Sequence, residues 1–369
     1  VRLGRIDAGS TLAHNAVMFV VATFNTLNLA LPHTAFYDNA QPYGEDEYGQ
    51  RRDWIGAQLD ALGAHVVAVQ EVFHLRALRE AVGASRWMKD AQIIAPGIPE
   101  NHASATSEAP LKPRLALLSR LPVIESTLHE QIAPEDRVAP PGMAAPERFS
   151  RPVLEALIAG PAGPIRVITV HLKSKRPALL AEERESDPAH HARGMARSLA
   201  IRASEALALR QIIIQRLWRT REPLVVLGDF NDLVTSPTTV LVAATRFMRG
   251  DESQRDCMLF DAFDLQKMRQ LPFAGVQRRD TSFTHTHEQV PETIDHILVS
   301  EEFAPFSKNA VGWVHRVDYF NDHLGLRRRG EREARIYSDH GQVVATLHFH
   351  GTAPAASEPL SIPTTPPNA

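Results

Sequence analysis

The stretch Leu224-Val225-Val226-Leu227-Gly228-Asp229-Phe230-Asn231-Asp232 constrains the fold more than any other. Its aliphatic, β-branched run reads as a buried strand. Gly228 then lets the backbone turn, and a carboxylate and an amide follow two residues apart. Taken alone, this fits a strand closed by an Asx-turn, in which Asp229 and Asn231 bond their own backbone. Other strand-like stretches along the chain end in the same kind of polar residue. That repetition makes the strand ends a candidate site.

Residues 18–24, 65–70, 91–95, 114–119, 152–158, 165–170, 281–284, 294–299, 311–317 and 341–349 all read as strands. The 152–158 and 165–170 runs form a hairpin across a Gly/Pro turn. Helical spacing covers 51–62, 75–82 and 238–247, and a long helix spans 194–218. On that long helix Met195, Leu199, Ala203, Ala206, Leu209, Ile213 and Leu217 trace one face toward a sheet. Arg197, Glu205 and Arg216 are placed on the other side. Strands alternating with helices predict one large α/β domain over residues 17–350. Residues 1–16 read as an N-terminal extension, and 351–369, with five prolines, as a flexible tail.

Among 369 residues the net charge is −3, so any polyanion binding must come from a local basic patch rather than a global pull. The single cysteine, Cys257, excludes an internal disulfide and favours a reducing compartment. No run of 18 apolar residues predicts a membrane span, and the first residues lack the apolar core of a signal peptide. Localisation stays open, with a soluble cytoplasmic protein as the expectation; oligomeric state is not legible.

Polar residues collect where the apolar runs stop: Asn25, Glu71, His171 with Lys173, Asp229 with Asn231, Asp295, and Ser338-Asp339-His340. Asp and Asn are poor strand formers, so their repeated placement predicts convergence on one site. Oxygen donors without a cysteine pattern suit Mg²⁺ or Mn²⁺ better than zinc. Alternation along the strand sends His296 to the face opposite Asp295, a structural position. His190-His191 and His285-Thr286-His287 lack a complete ligand set and read as surface histidines, and Arg327-Arg328-Arg329 as a solvated loop.

Six motifs in order resemble the endonuclease/exonuclease/phosphatase superfamily, which includes deoxyribonuclease I, abasic-site nucleases, neutral sphingomyelinases, inositol-polyphosphate phosphatases and deadenylases. They are Thr23-Phe24-Asn25-Thr26-Leu27-Asn28, Val69-Gln70-Glu71, Thr169-Val170-His171-Leu172-Lys173-Ser174, Gly228-Asp229-Phe230-Asn231, Ile294-Asp295-His296 and Ser338-Asp339-His340. The resemblance implies a four-layer α/β sandwich, two packed mixed β-sheets flanked by helices, as in deoxyribonuclease I. It implies that Asn25, Glu71 and Asp339 bind Mg²⁺ or Mn²⁺, and that Asp229 and Asn231 position the attacking water and bond the transition state, or ligate a second ion. His340, oriented by Asp295, would serve as base or phosphate contact, and His171 would face the phosphate from the other side. Asn28, one residue beyond the family's usual spacing, and Lys173 fall on the substrate side. Abasic-site nucleases typically carry a tyrosine where His171 stands, which argues against a role in abasic-site repair. The implied activity is metal-dependent hydrolysis of a phosphodiester, with a nuclease foremost and nucleic acid as partner. A phosphatase or sphingomyelinase-like hydrolase is the alternative, and a binding module that has lost catalysis is a third reading. Substrate choice is expected in the loops 31–50, 96–113, 125–150, 173–192 and 318–337.

Overall fold

A computed structural model describes residues 17–35, 41–101, 111–139, 143–244, 257–270, 281–287, 290–325 and 335–350. The expected extension at 1–16, the tail at 351–369, Arg327-Arg328-Arg329 and the 245–247 end of the 238–247 helix lie outside these residues.

Two six-stranded sheets pack face to face. The first contains β1 (Val17–Leu29), β2 (Val66–Val72), β3 (Gln92–Ile94), β4 (Arg114–Ser119), β13 (Gly312–Phe320) and β14 (Gln342–Phe349), in the order β13-β14-β1-β2-β4-β3. The second contains β5 (Val123–Gln131), β6 (Arg148–Gly160), β7 (Gly163–His171), β8 (Leu224–Asp229), β9 (Leu259–Asp261) and β12 (Asp295–Ser300), in the order β5-β6-β7-β8-β12-β9. A separate short hairpin joins β10 (His285–His287) to β11 (Val290–Glu292). Both large sheets are mixed: β1 pairs parallel with β2 and antiparallel with β14, and β7 pairs parallel with β8.

Strand alternation sorts the side chains into layers. Val225 and Leu227 point between the sheets, where they join Phe19, Val21, Leu154 and Val167 in the central core. Their neighbours Leu224 and Val226 point outward, against Ala206, Leu209 and Ile213 of helix α3 (Pro188–Leu217). On the far side, Phe24, Val67 and Val69 pack against Ile55 and Leu59 of α1 (Glu45–Leu62) and Leu78 of α2 (Leu75–Ala84). Helix, sheet, sheet, helix is the four-layer α/β sandwich the resemblance implied. Two shorter helices, α4 (Pro237–Ala243) and α5 (Ala262–Gln270), complete the α-helices of the described residues. No helix of the described residues is long and apolar enough to cross a membrane.

Several details depart from the sequence reading. Helix α1 starts at Glu45, not Arg51, and its first turn carries Glu45, Asp46 and Glu47, which favour the positive helix end. Tyr48 lies within that helix rather than in a loop, and Tyr43 and Tyr48 are both buried against the domain. Residues 123–131, overlapping the 125–150 span expected as a loop, form β5, an edge strand whose largely exposed side chains carry little hydrophobic signal. The strand expected at 281–284 lies instead at His285–His287. Asp187 caps α3 by accepting from the backbone N–H groups of Ala189 and His190, so that helix begins six residues earlier than its apolar pattern. Its buried stripe also differs. Met195 and Leu199 are exposed, whereas Ser198, Arg202 and Glu205 are buried, because residues 176–179 cross that end of the helix.

The two sheets bring the polar strand ends to one edge. Gly228 has φ +148°, and a Cβ there would sit 2.0 Å from the Val170 carbonyl oxygen. Only glycine permits β7 and β8 to approach so closely at this point. Beyond it, Asp229 lies in register with His171 on one side and Asp295 on the other.

Candidate active site

Asn25 is the junction between the sheets. Fully buried on β1, its Nδ2 donates to Asp229 Oδ2 at 3.1 Å and to Glu71 Oε1 at 3.3 Å, and lies 3.4 Å from His340 Nε2. Its Oδ1 accepts from the Leu27 backbone N–H at 3.0 Å. The amide NH₂, rather than the carbonyl oxygen expected of a metal ligand, therefore faces the carboxylates. Leu27, Asn28 and Glu71 hold left-handed backbone conformations at φ 50°, 57° and 63°. Such conformations cost non-glycine residues on the order of 1–3 kcal/mol each and are retained where surrounding structure enforces them. Here they turn the chain so that the Asn28 N–H donates to Glu71 Oε2 at 2.9 Å. Ser338 ties in the last segment: its hydroxyl donates to the Asn25 carbonyl at 2.7 Å and accepts from the His340 N–H at 3.0 Å.

A second group surrounds His340. Its Nδ1 bonds Asp295 Oδ2 at 2.8 Å, and the Asp295 N–H is held by Thr284 Oγ1 at 3.1 Å. This fixes the ring so that Nε2 points to Asp229 Oδ2 at 3.9 Å and Asp339 Oδ1 at 4.0 Å. Burial opposes charge on His340, but the Asp295 and Asp229 carboxylates outweigh it and hold the imidazole well above its ordinary range. Burial pushes Asp229 up to about 7 against the pull of His340. His171 behaves oppositely: burial, then Arg151, His340 and Lys173, hold it well below its ordinary range. A neutral His171 can donate from Nε2 to Asp229 Oδ2, 3.3 Å away. Asn231 caps the turn: at φ 52°, its N–H donates to Asp229 Oδ1 at 2.7 Å and its Nδ2 to the Leu172 carbonyl at 3.0 Å.

The oxygen atoms left over fit a cation. Asn28 Oδ1, Asp295 Oδ1 and Asp339 Oδ1 are buried without hydrogen-bond partners. Burial and the neighbouring Asp339 carboxylate push Glu71 up against the pull of His340 and Arg151, as expected of acids crowded together. Atoms of Asp229, Asp295 and His340 also lie within 4.8 Å of one another. In that trio one oxygen of Asp295 is already bonded to His340. Hard oxygen donors of this kind suit a divalent ion of the Mg²⁺ type.

Of the expected substrate-side residues, Asn28 stands beside Glu71, whereas the Lys173 ammonium is turned onto its own loop. It donates to the Ser174 and Arg176 carbonyls at 3.2 and 3.1 Å. Burial and the Arg151 charge push it down to about 8. Arg151 itself escaped the sequence reading. It is partly buried at the start of β6, its charge acts on Glu71, His171 and Lys173, and its guanidinium has no partner among the described residues. His285, read as a surface residue, is partly buried with its ring 5.3 Å from that of His340. Glu205, placed on the outer face of α3, is buried and accepts from the N–H groups of Ser150 and Lys173 at 2.7 Å each. The only sequence signal for these residues was proximity: Arg151 precedes a strand that pairs with the His171 strand, and His285 precedes Asp295 by ten residues. His296 lies where alternation put it, facing away and bonded to the Asp232 carbonyl at 2.9 Å.

Comparison with known proteins bears on the fold and the family. No curated protein matches the sequence. Among solved structures, an endonuclease/exonuclease/phosphatase family protein from Bacteroides thetaiotaomicron aligns at 15% identity and TM-score 0.53, over 90% of this chain and 98% of its own. A second, from Bacteroides vulgatus, aligns at 16% identity and TM-score 0.51, over 90% and 99%. A mannosyl-6-phosphatase of Bacteroides thetaiotaomicron aligns at 16% and TM-score 0.51, over 89% and 99%. At such identities the likeness shows the shared fold. The family model described as endonuclease/exonuclease/phosphatase matches residues 22–340, which include all ten residues singled out from the sequence. The chain belongs to the endonuclease/exonuclease/phosphatase family.

Proposed function

We propose that this protein hydrolyses phosphodiesters by direct attack of water, with Mg²⁺ or Mn²⁺ bound by Glu71 and Asp339 and assisted by Asn25, and that nucleic acid is its substrate. The observation that carries the reading is the His340–Asp295 pair set against Asp229, beside the unpartnered oxygen of Asp339. A bound divalent ion would supply positive charge to the phosphoryl oxygens and to the leaving alkoxide. Asp229, raised by burial into the range of a base at neutral pH, accepts the proton of the attacking water. Asn231, fixed on the same turn, orients that water. His340, kept cationic by two carboxylates, binds a phosphoryl oxygen rather than acting as base. Neutral His171 donates a hydrogen bond from the opposite side.

Charge favours a diester over a monoester. Glu71, Asp229, Asp295 and Asp339 together leave little net positive charge even with a divalent ion, His340 and Arg151 counted. A singly charged diester suits such a site better than a monoester dianion. The phosphatase reading rests on the fold shared with the mannosyl-6-phosphatase. The test is hydrolysis of single- and double-stranded DNA, RNA, bis-p-nitrophenyl phosphate and p-nitrophenyl phosphate, with Mg²⁺ or Mn²⁺ and with chelator. Diester cleavage should need the metal and fall by about 10³-fold or more in Asp229→Asn. Cleavage of the monoester alone overturns the diester reading, and full activity in chelator overturns the metal.

A further inference from the structure

Arg51 is fully buried on α1, yet no carboxylate pairs with its guanidinium among the described residues. It donates instead to five main-chain carbonyls. One terminal nitrogen bonds those of Arg335 at 2.8 Å, Ile336 at 3.4 Å and Tyr337 at 3.2 Å. The other bonds those of Thr26 and Leu27. The Tyr43 ring covers the guanidinium at 5.1 Å, and the Tyr43 hydroxyl donates to the Leu27 carbonyl at 3.3 Å.

The two segments so joined are far apart in sequence and both end in the site. Thr26 and Leu27 enter the left-handed turn that carries Asn28 to Glu71. Arg335 to Tyr337 run directly into Ser338, Asp339 and His340. A buried charge is costly, and burial accordingly pulls Arg51 down from its ordinary range, while Asp339 and Glu71 act on it from the site side. A planar fork with donors on both terminal nitrogens can span two chains; the single point charge of a lysine cannot.

We propose that Arg51 is a positioning residue that locks the Asn25–Asn28 turn to the 335–340 segment, setting the spacing between the Glu71 and Asp339 oxygens. The inference builds on the metal-dependent reading and deepens it. It makes the two halves of the metal site one mechanical unit, held from behind by a helix that contributes no ligand.

Amide hydrogen exchange on the metal-free parent protein, over a series of low urea concentrations, tests the lock directly. The amides of Asn28, bonded to Glu71, and of His340, bonded to Ser338, should open together with the same urea dependence. Arg51→Lys keeps the charge and loses the fork. In it those two amides should exchange at least about tenfold faster while the β8 amides stay unchanged, and Mn²⁺ affinity by titration calorimetry should weaken about tenfold or more. Independent opening in the parent overturns the proposal. So does a folded Arg51→Lys variant with parental exchange at both amides and an Mn²⁺ affinity within twofold of the parent. If Arg51→Lys does not fold, the urea series on the parent decides alone. A parent that binds no Mn²⁺ overturns the metal reading, and the exchange pattern then judges the lock by itself.

Discussion

Two clusters of carboxylates, one around Glu155 on the second sheet and one around Asp229 where the two sheets meet, have electrostatics that run in opposite directions. Around Glu155 on β6, Arg216 Nε lies at 2.8 Å, His129 Nε2 at 2.8 Å, and Arg166 bridges onward to Glu222 and Glu125. Burial pushes Glu155 up, but the His129 hydrogen bond and the Arg216 and Arg166 cations outweigh it and hold the carboxyl down at about 2. Around Asp229 on β8, Asp295, Glu71 and Asp339 crowd the cationic His340 imidazole, with Arg151 acting on Glu71, and Asp229 and Glu71 are nevertheless both raised. Burial is comparable at Glu155 and Asp229, each 1% exposed. What differs is the supply of positive charge. A carboxylate cluster matched by cations is complete as folded; one that lacks them holds capacity for a cation that the chain does not encode.

The strongest test of that contrast removes a carboxylate from the unmatched side. Asp339→Asn should lower turnover by about 10³-fold and weaken Mn²⁺ binding at least about tenfold. In chelator the same variant should melt at the parental temperature or about 1–2 °C above it, because a repelling charge has gone. A melting temperature several degrees lower would mean that Asp339 is already satisfied, and the contrast would break. Asp295→Asn asks how far the His340 side works separately. It keeps the side chain's shape and removes the charge that orients His340, so turnover should fall about 10²-fold while Mn²⁺ affinity stays within twofold. A parallel loss of metal affinity would show that Asp295 belongs to the cation's surroundings instead.

Much of this arrangement was legible in the chain because it rests on local chemistry. Runs such as 224–229 are aliphatic and β-branched, so their strand character needs no tertiary context. The residues that stop them, from Asn25 to His340, were marked by being polar where strands dislike polarity, and the fold brings them to one edge. What stayed hidden depends on contacts between distant segments. Arg51 looked like an ordinary polar position of an amphipathic helix, since nothing near it in sequence announces five carbonyls from two other segments. Met195 and Leu199 fitted the apolar stripe of α3, and only the crossing of residues 176–179 explains why Ser198 and Arg202 are buried in their place. The β5 strand lacked a hydrophobic face to betray it. Long-range packing decides such cases, and composition cannot anticipate it.

The matched cluster supplies the converse test, with no expected effect on turnover. The folded-state value of Glu155 lies below the ordinary carboxylate range, so its pairing stabilises the protein above about pH 4.5. That contribution is lost as pH falls toward about 2. Glu155→Gln leaves Arg166 and Arg216 short of a counter-charge and should cost about 3 kcal/mol at pH 7, read from urea unfolding in chelator. At pH 3 the gap between parent and variant should shrink, because the unfolded parent chain has by then taken up the proton. Removing a carboxylate thus lowers stability here and does not lower it at Asp339, although both groups lie in crowded acidic surroundings. A gap that stayed constant with pH would mean that Glu155 acts through shape rather than charge. The difference between the two clusters would then be one of packing, and the shortage of positive charge at the site would lose its internal control.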